Sequence, residues 1–407
     1  MTDEFNALLE KKMWVLVLCI SNMNLVGSKW VYYIKYNSNG SIAWYKARLV
    51  AQGFRQKPDI DYHETFSLVV CATIVRIILS LVVSFSWQIL QLDVKNAFLH
   101  GSLNGLLDQF ISRLSYQFAM KDLGNLHYFL GIQVVRSSHG LHLSQQKYIS
   151  DLLLKFHMHT CKPICTPLAS RTSISLLDGE LLSDPSEYRS MVGALQYLTM
   201  TRPNIFFAVN VVSQFMHVTH MHCINCIFRY LKGTLTYGLT LRASSPTSMV
   251  IAYFDVDWVG CPDSRRSTSG CAMFLGSNLI SWHAKKQLTV SKSSTEAGYR
   301  AVAYTITETC WICHILCKLG IFFREPIRVL CDNINSTYMT RNPVFHDRSK
   351  HIVVDFHFVR DKIAQGDLIV QYVPTQLQLA DIFHKGPAFI SLLFSTRQSV
   401  HTSASPD

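Results

Sequence analysis

Four acidic residues in the C-terminal half of the sequence lie where secondary-structure elements are predicted to begin or end. Asp255 and Asp332 each follow a short apolar run with the composition of a β-strand. Glu296 and Asp381 lie in stretches with helical patterns. Carboxylates gathered in one pocket repel one another unless cations lie between them, and Mg²⁺ prefers such oxygen ligands. Because two such ions can hold both the attacking and the leaving oxygen of a phosphodiester, the pattern predicts a nuclease-like metal site.

The composition is that of a globular protein with a basic surface. The 407 residues are 49% hydrophobic and 16% charged, which excludes a disordered tail and allows two or three domains. A formal net charge of +11 favours a polyanionic partner such as nucleic acid, although many basic proteins bind none. The longest apolar run, at residues 77–85, is too short to span a bilayer, so we expect no membrane partner.

The cysteine and histidine residues predict neither a disulfide framework nor a zinc site. Twelve cysteines are scattered along the chain, and the acidic N-terminal segment lacks the apolar core of a secretory signal. We therefore expect reduced thiols in a cytoplasmic or nuclear protein that is not secreted. One segment contains several possible zinc ligands, namely His217, His220, His222, Cys223 and Cys226. Their spacing is incomplete for a structural zinc site and the segment has a helical pattern, so we interpret these residues as packing side chains of a helix.

The hydrophobic pattern predicts strands and helices in a mixed order along the chain. Before residue 160 it predicts a hairpin at residues 29–54, a helix at 73–87, a strand at 91–94, a strand pair at 126–135 and 140–143, and a helix at 145–156. A loop-rich connector at 161–184, a helical region at 186–232 broken at Arg202-Pro203, and a link at 233–248 follow. The remaining order is strand, strand, strand, helix, strand, helix, helix, strand, helix, which indicates one mixed sheet.

Several long strings are specific enough to identify a family resemblance. Before residue 248 they lie at residues 29–31, 45–53, 91–101, 121–124, 128–132 and 229–234, and they include Gln91-Leu92-Asp93-Val94-Lys95-Asn96-Ala97-Phe98-Leu99-His100-Gly101. These strings resemble the reverse transcriptase of copia-type LTR retrotransposons. The strings at residues 265–270, 281–282, 342–346 and 379–383 resemble the ribonuclease H that follows that polymerase.

The resemblance implies a chain of α/β and α+β architecture. Residues 1–160 would be a truncated reverse transcriptase of palm and fingers whose palm centre is missing, and residues 161–247 a loop and helical connection region. Residues 248–390 would be a ribonuclease H-like domain with a mixed sheet, and residues 391–407 a polar tail. The family is that of a transposable-element polyprotein whose cycle includes DNA integration.

The sequence departs from the family pattern at the polymerase site. The family polymerase needs one carboxylate in the motif that contains Asp93 and two in a Tyr-x-Asp-Asp turn, but this chain contains no Asp-Asp dipeptide. In family members a long stretch separates the motif that ends at Gly101 from the motif that begins at Lys121. Here only residues 102–120 lie between them. Because one carboxylate cannot fix two metal ions, we expect no DNA synthesis and interpret Asp93 as a remnant.

The resemblance assigns the four acids to a ribonuclease H site. Asp255, Glu296, Asp332 and Asp381 would be catalytic ligands of two Mg²⁺ ions that hydrolyse the RNA strand of an RNA–DNA hybrid. Two alternatives remain open at this point. Asp257 could replace Asp255, because residues two apart on a strand point to the same face. Family members usually carry Glu-x-Glu on the first long helix, and the second position of that motif is Gly298 here.

Further residues are candidates for contact with nucleic acid. Helix-start N–H groups and basic side chains attract phosphate, and histidines can assist product release; these candidates are Arg265, Arg266, Lys285, Lys286, Ser294, His346 and His351. The sequence therefore predicts a degenerate retrotransposon Pol fragment with residual ribonuclease H activity and no polymerase activity. The alternatives are an inactive nucleic-acid-binding remnant and a translated pseudogene, and the oligomeric state is left open.

Overall fold

The computed structural model describes residues 26–36, 41–52, 71–94, 120–168, 182–214, 218–323, 325–341 and 352–385, with three isolated positions besides. The chain divides into two compact units. The first comprises Met1–Val70 and Ile89–Leu126, and the second comprises Cys71–Gln88 and His127–Asp407.

Two antiparallel strand pairs make up the described part of the first unit. Strand β1 (Ser28–Tyr36) pairs with β2 (Ile42–Ala51), which confirms the predicted hairpin strands. Both strands are rich in aromatic and β-branched residues, which favour extended backbone. Strand β3 (Leu90–Val94) pairs with β4 (Met120–Asn125), and the register places Asp93 opposite Lys121.

The second unit begins with helix α1 (Ala72–Ser84), the predicted buried helix, and continues into a small antiparallel sheet. The strands of this sheet pair in chain order and are β5 (Tyr128–Phe129), β6 (Ile132–Ser137), β7 (Gly140–Ser144) and β8 (Gly238–Arg242). Strand β8 falls in the stretch that the sequence pattern indicated as a link. The backbones of β7 and β8 lie very close at Gly140, where a β-carbon would collide with the carbonyl oxygen of Leu241.

A helical cluster with its own apolar core connects β7 to β8. Its helices are α2 (Gln146–Lys155), α3 (Ser186–Leu198), α4 (Phe206–Val212) and α5 (Val218–Gly233). The predicted break at Arg202-Pro203 is confirmed, since a 3₁₀ turn at Pro203–Ile205 separates α3 from α4. Arg202 is buried there, and its guanidinium donates hydrogen bonds to Asn204 Oδ1 at 3.1 Å and to Thr234 O at 2.9 Å.

The C-terminal part of the second unit is the predicted mixed sheet. Its strands are β9 (Val250–Asp257), β10 (Thr268–Leu275), β11 (Asn278–Lys286), β12 (Ile327–Cys331) and β13 (Leu368–Tyr372), in the spatial order β11-β10-β9-β12-β13. Strand β12 runs parallel to both β9 and β13, while β9, β10 and β11 are antiparallel. The helices are α6 (Ser294–Lys318), α7 (Ile334–Arg341) and α8 (Val353–Ala364).

Helices cover the sheet and bury its core with their apolar faces. Tyr299 of α6 is fully buried and stacks on Phe356 of α8 with ring centroids 5.8 Å apart. Helix α1 packs against β11, where the Arg76 guanidinium lies 3.7 Å from the ring centroid of Trp282 and Asn278 donates to Ser80 Oγ at 2.8 Å. Among the described residues, no helix combines the length and apolarity needed to cross a bilayer.

Two glycines of the second unit should respond in opposite ways to replacement by alanine. Gly140→Ala should lower the free energy of unfolding by about 1–3 kcal/mol, because Gly140 has φ of 145° and no space for a β-carbon. Gly193→Ala should raise it by about 0.5–1 kcal/mol, since Gly193 lies within α3 and a β-carbon there meets open space. Urea denaturation measures both values. Equal effects of the two substitutions would contradict the close approach of β7 and β8.

Candidate active site

The parallel pairing of β9 and β12 brings two of the predicted acids to one edge of the sheet. Tyr253 of β9 lies opposite Leu330 of β12, and both strands run in the same direction. Asp255 and Asp332 each come two residues after this pair, so they lie side by side where the strands end. Strand-end aspartates in this arrangement were predicted from the sequence, and the parallel register explains how they meet.

The third acid arrives from the far end of the chain on a short turn. The predicted last helix is, among the described residues, a 3₁₀ turn at Leu379–Phe383, and Asp381 lies within it. Buried Gln378 fixes this turn, because its side chain donates to Phe254 O of β9 at 3.0 Å and accepts from the Ala380 N–H at 3.3 Å. Gly270 of β10 leaves the space for it, since a β-carbon there would lie 2.9 Å from Ala380 O.

The turn also brings a buried histidine against Asp255. His384 Nε2 lies 2.9 Å from Asp255 Oδ2, and His384 Nδ1 lies 3.1 Å from Ala380 O. Because a carbonyl oxygen only accepts, Nδ1 carries the hydrogen in the contact with Ala380 O. One ligand atom from each of Asp255, Asp381 and His384 lies within 4.8 Å of the others, which makes this a group able to hold a metal ion.

A lysine that follows the histidine contacts two of the acids at once. Lys385 Nζ forms an ion pair with Asp255 Oδ2 and a second one, at 3.0 Å, with Asp381 Oδ1. The other oxygen of Asp381, Oδ2, is buried and has no hydrogen-bond partner among the described residues. Asp381 is fully buried and Asp255 is 6% exposed, so neither carboxylate can rely on bulk water.

Burial and the neighbouring charges separate the pKa values of the acids. Burial raises the pKa of Asp255, but the hydrogen bond and charge of His384, together with Asp381 and Lys385, outweigh it and hold that pKa well below its usual range. Burial and the neighbouring Asp255 raise the pKa of Asp381 to about 6, against the opposing effect of Lys385. The pKa of Asp332 is also raised, by burial and by the Asp255 charge, although Thr375 Oγ1 donates to its Oδ2 at 3.0 Å.

An open cleft of about 370 Å³ borders Asp255 and Asp332, and Asp381 is not part of its lining. Its lining residues come from the ends of β9 and β12 and from the start of α6 and α7, and they are Asp255, Val256, Trp258, Ser294, Asp332, Asn333, Ile334 and Asn335. Ser294 was predicted as a contact with nucleic acid, and it does line this cleft. Trp258 was not given a role from the sequence; its indole is 47% exposed and is fixed by a 3.2 Å hydrogen bond from Nε1 to Ser291 O.

Glu296, the fourth predicted ligand, is engaged in capping α6. Its Oε2 accepts a hydrogen bond from the Lys292 N–H at 2.9 Å, and its Oε1 pairs with Arg300 at 2.9 Å. The Ser293 Oγ accepts from the Glu296 N–H at 3.1 Å, so the two residues form a variant of the capping box in which the carboxylate binds the N–H of Lys292, just before the N-cap. The group of metal-ligating atoms within the described residues includes neither Glu296 nor Asp332.

Gly298, the second position of the family motif, faces the other side of α6. A β-carbon at Gly298 would collide with Ser336 Oγ of α7 and would lie 3.7 Å from Asn333 Nδ2, an atom of a cleft residue. A longer side chain at this position would therefore extend along the wall of the cleft.

The remaining predicted site residues lie apart from the cleft lining. Arg265 and Arg266 are exposed, Lys285 lies over the ring of Tyr304 at 4.3 Å, and Lys286 donates to Gln214 at 2.7 Å. His346 and His351 fall outside the described residues, and Asp93 belongs to the first unit. Burial raises the pKa of Asp257, the alternative ligand, and Asp257 is not part of the group able to hold a metal.

Comparisons with known proteins relate the chain to retrotransposon Pol polyproteins. The family model described as reverse transcriptase (RNA-dependent DNA polymerase) matches residues 11–107 and 102–170. The retrovirus-related Pol polyprotein from transposon RE1 of Arabidopsis thaliana is 40% identical over 95% of this chain and 32% of the relative. An uncharacterized mitochondrial protein of Arabidopsis thaliana is 48% identical over 54% of this chain and 93% of the relative.

Among solved structures, the N-terminal ribonuclease H domain of a Mycobacterium tuberculosis protein is similar to 37% of this chain. The match covers 99% of that chain, which was solved as a fusion with maltose-binding protein, at 16% identity and a TM-score of 0.26. The chain spans about a third of the length of the Pol polyproteins that it matches. The alignment with the RE1 relative extends over 474 positions, more than the 407 residues of this chain, so that relative carries residues without counterparts here.

Two substitutions of Glu296 separate a capping role from a ligand role. Glu296→Ala should lower the free energy of unfolding by about 1 kcal/mol, because the helix start loses its reciprocal hydrogen bond. Glu296→Gln should stay within about 0.5 kcal/mol of the wild type, since glutamine also serves in a capping box. Thermal or urea denaturation measures both, and calorimetric Mn²⁺ titration should give the same affinity for Glu296→Gln as for the wild type. A loss of Mn²⁺ binding in Glu296→Gln would instead make Glu296 a ligand.

Proposed function

Because the chain belongs to the Pol polyprotein family of copia-type retrotransposons, we propose that its C-terminal α/β part hydrolyses the RNA strand of RNA–DNA hybrids. The observation that carries the proposal is that Asp255 lines an open cleft together with Asp332 and also belongs to a group able to hold a metal, together with Asp381 and His384. These acids come from two parallel strands and a turn that is distant in sequence, and each is fixed by a separate hydrogen bond.

The residues present fit a divalent cation. Asp381 Oδ2 is buried with no hydrogen-bond partner among the described residues, and a cation would satisfy it. Three carboxylates with a cleft open to solvent form the kind of oxygen-rich site that Mg²⁺ occupies. We infer that Asp255, Asp332 and Asp381 hold Mg²⁺, with two ions in the mechanism that the resemblance implies. When bound, Mg²⁺ supplies the charge that activates water and offsets the leaving oxygen.

The other residues of the cleft would orient the substrate and the ligands. His384 fixes the rotation of the Asp255 carboxylate, and Thr375 fixes that of Asp332. Ser294 lies at the start of α6, where backbone N–H groups favour a phosphate. The exposed indole of Trp258 offers a flat apolar surface for a sugar or a base of the hybrid.

We further propose that the polymerase activity of the family is lost. The family model matches in two stretches that meet at residues 102–107, where the sequence lacks the long segment that family members carry. Strand β3 pairs directly with β4, which places Lys121 opposite Asp93. The chain contains no Asp-Asp dipeptide to supply the other two carboxylates. DNA synthesis in a primer-extension assay would contradict this proposal.

A second candidate function, hybrid binding without cleavage, is favoured by one observation. The Glu296 carboxylate is held by the Lys292 N–H and by Arg300, and the alternative position, Gly298, has no side chain. The site then has three carboxylates, where the family resemblance implies four.

Cleavage of a labelled RNA–DNA hybrid tests the proposed function. In Mg²⁺ the purified chain should cut the RNA strand, and Asp255→Asn and Asp332→Asn should each reduce the rate by roughly a hundredfold or more, because each removes a charged ligand. Asp361→Asn, an exposed aspartate of α8, serves as the matched control and should retain the wild-type rate. Hybrid binding by a folded wild-type chain without any cleavage would establish the second candidate instead.

Restoring a carboxylate at position 298 should increase the rate of cleavage. Gly298→Glu combined with Ser336→Ala, which removes the colliding Oγ, should raise it roughly tenfold or more, because a fourth acid would help to hold the metal. Gly298→Gln with Ser336→Ala is the matched control, since it has the same shape without the charge. Equal rates for the glutamate and glutamine variants would show that position 298 does not reach the metal site.

A further inference from the structure

Two of the three proposed metal ligands, Asp255 and Asp381, are already bridged by the positively charged side chain of Lys385. Lys385 Nζ contacts Asp255 Oδ2 and lies 3.0 Å from Asp381 Oδ1, so it bridges two of the three proposed metal ligands. Divalent ions bind carboxylates in the same bridging manner. The ammonium group therefore competes for the oxygens that a metal ion would need.

His384 and Lys385 both contact Asp255, but they differ in their freedom to leave it. The His384 side chain is 0% exposed and is held between Asp255 and Ala380 O over the backbone of Gly270. The Lys385 side chain is 36% exposed and has a flexible stem, so its ammonium group can turn into solvent without disturbing the sheet. Of the two side chains, only Lys385 is placed to exchange with an ion from solution.

We propose that Lys385 is an internal counterion which stands in for a divalent ion at Asp255 and Asp381 and which must be displaced before a metal can bind there. This inference rests on the proposed function in so far as it concerns the same three acids. It makes Lys385 the residue that sets the metal affinity of the site. It also accounts for how two buried carboxylates are tolerated side by side.

The strength of the effect follows from simple electrostatics. The Coulomb energy between two unit charges about 4 Å apart is large enough to change a dissociation constant by roughly tenfold or more, even with substantial solvent screening. Removing the Lys385 charge leaves Asp381 without an ion pair and Asp255 with His384 alone, as far as the described part of the chain shows. The uncompensated carboxylates should then bind a divalent ion more tightly.

Calorimetric titration with Mn²⁺, in the absence of nucleic acid, tests this inference on the full chain. Lys385→Met and Lys385→Gln should each lower the Mn²⁺ dissociation constant roughly tenfold relative to the wild type. Lys362→Met is the matched control, because Lys362 forms an ion pair of 3.0 Å with Asp367 and should leave the dissociation constant unchanged. Circular dichroism and thermal denaturation of each variant, with and without Mn²⁺, establish that it is folded.

The outcomes of this titration test the role of Lys385 separately from the proposed function. An unchanged or weaker Mn²⁺ affinity in both Lys385 variants, including no detectable binding in any protein, would overturn the inference. Unfolding of both variants that Mn²⁺ does not reverse would also overturn it, since the lysine would then be a structural ion pair that no metal replaces. Tighter Mn²⁺ binding without hybrid cleavage would support the inference while refuting the hydrolase, and cleavage with unchanged affinity would do the reverse.

Discussion

Mutual repulsion of buried carboxylates is the constraint around which the C-terminal site is arranged. Asp255 and Asp381 lie within a few ångströms of each other with little access to water, a placement that costs free energy unless positive charge is close by. The chain meets this requirement with His384 and Lys385, both from the segment that carries Asp381. Asp381 and the side chains that offset its charge thus lie on the same short turn. The packing of that turn against the sheet therefore decides whether the two buried carboxylates are stable next to each other.

That docking depends on backbone features more than on the acids themselves. Gly270 gives the 3₁₀ turn at Leu379–Phe383 room to lie against β10, and the Gln378 side chain ties the turn to the carbonyl of Phe254. The parallel register of β9 and β12 places Asp332 beside Asp255. A scaffold of this kind keeps the geometry of the site even where an individual ligand changes.

The sequence predicted the features that depend on local pattern and missed those that depend on long-range pairing. Strand-end aspartates, the hairpin and the long helices follow from periodicity, whereas β8 pairs with β7 across about ninety residues, and its own pattern is too short to indicate a strand. The spacing of Asp381 and Lys385, four residues apart, is a signal for an ion pair that sequence reasoning could have used. His384 gave no such signal, because its partner Asp255 lies on a distant strand.

Helix geometry explains why Glu296 and position 298 cannot exchange roles. Successive residues turn by about 100° around a helix, so side chains two apart diverge by about 200°. Glu296 accordingly points back to the Lys292 N–H, whereas Gly298 faces Ser336 of α7 and the wall of the cleft. With glycine there, the site has three carboxylates, and Lys385 offsets part of the charge of two of them. A fourth acid would add one more negative charge for a divalent ion to neutralise, so the glycine and the Lys385 ammonium group act in the same direction: both weaken the attraction for metal.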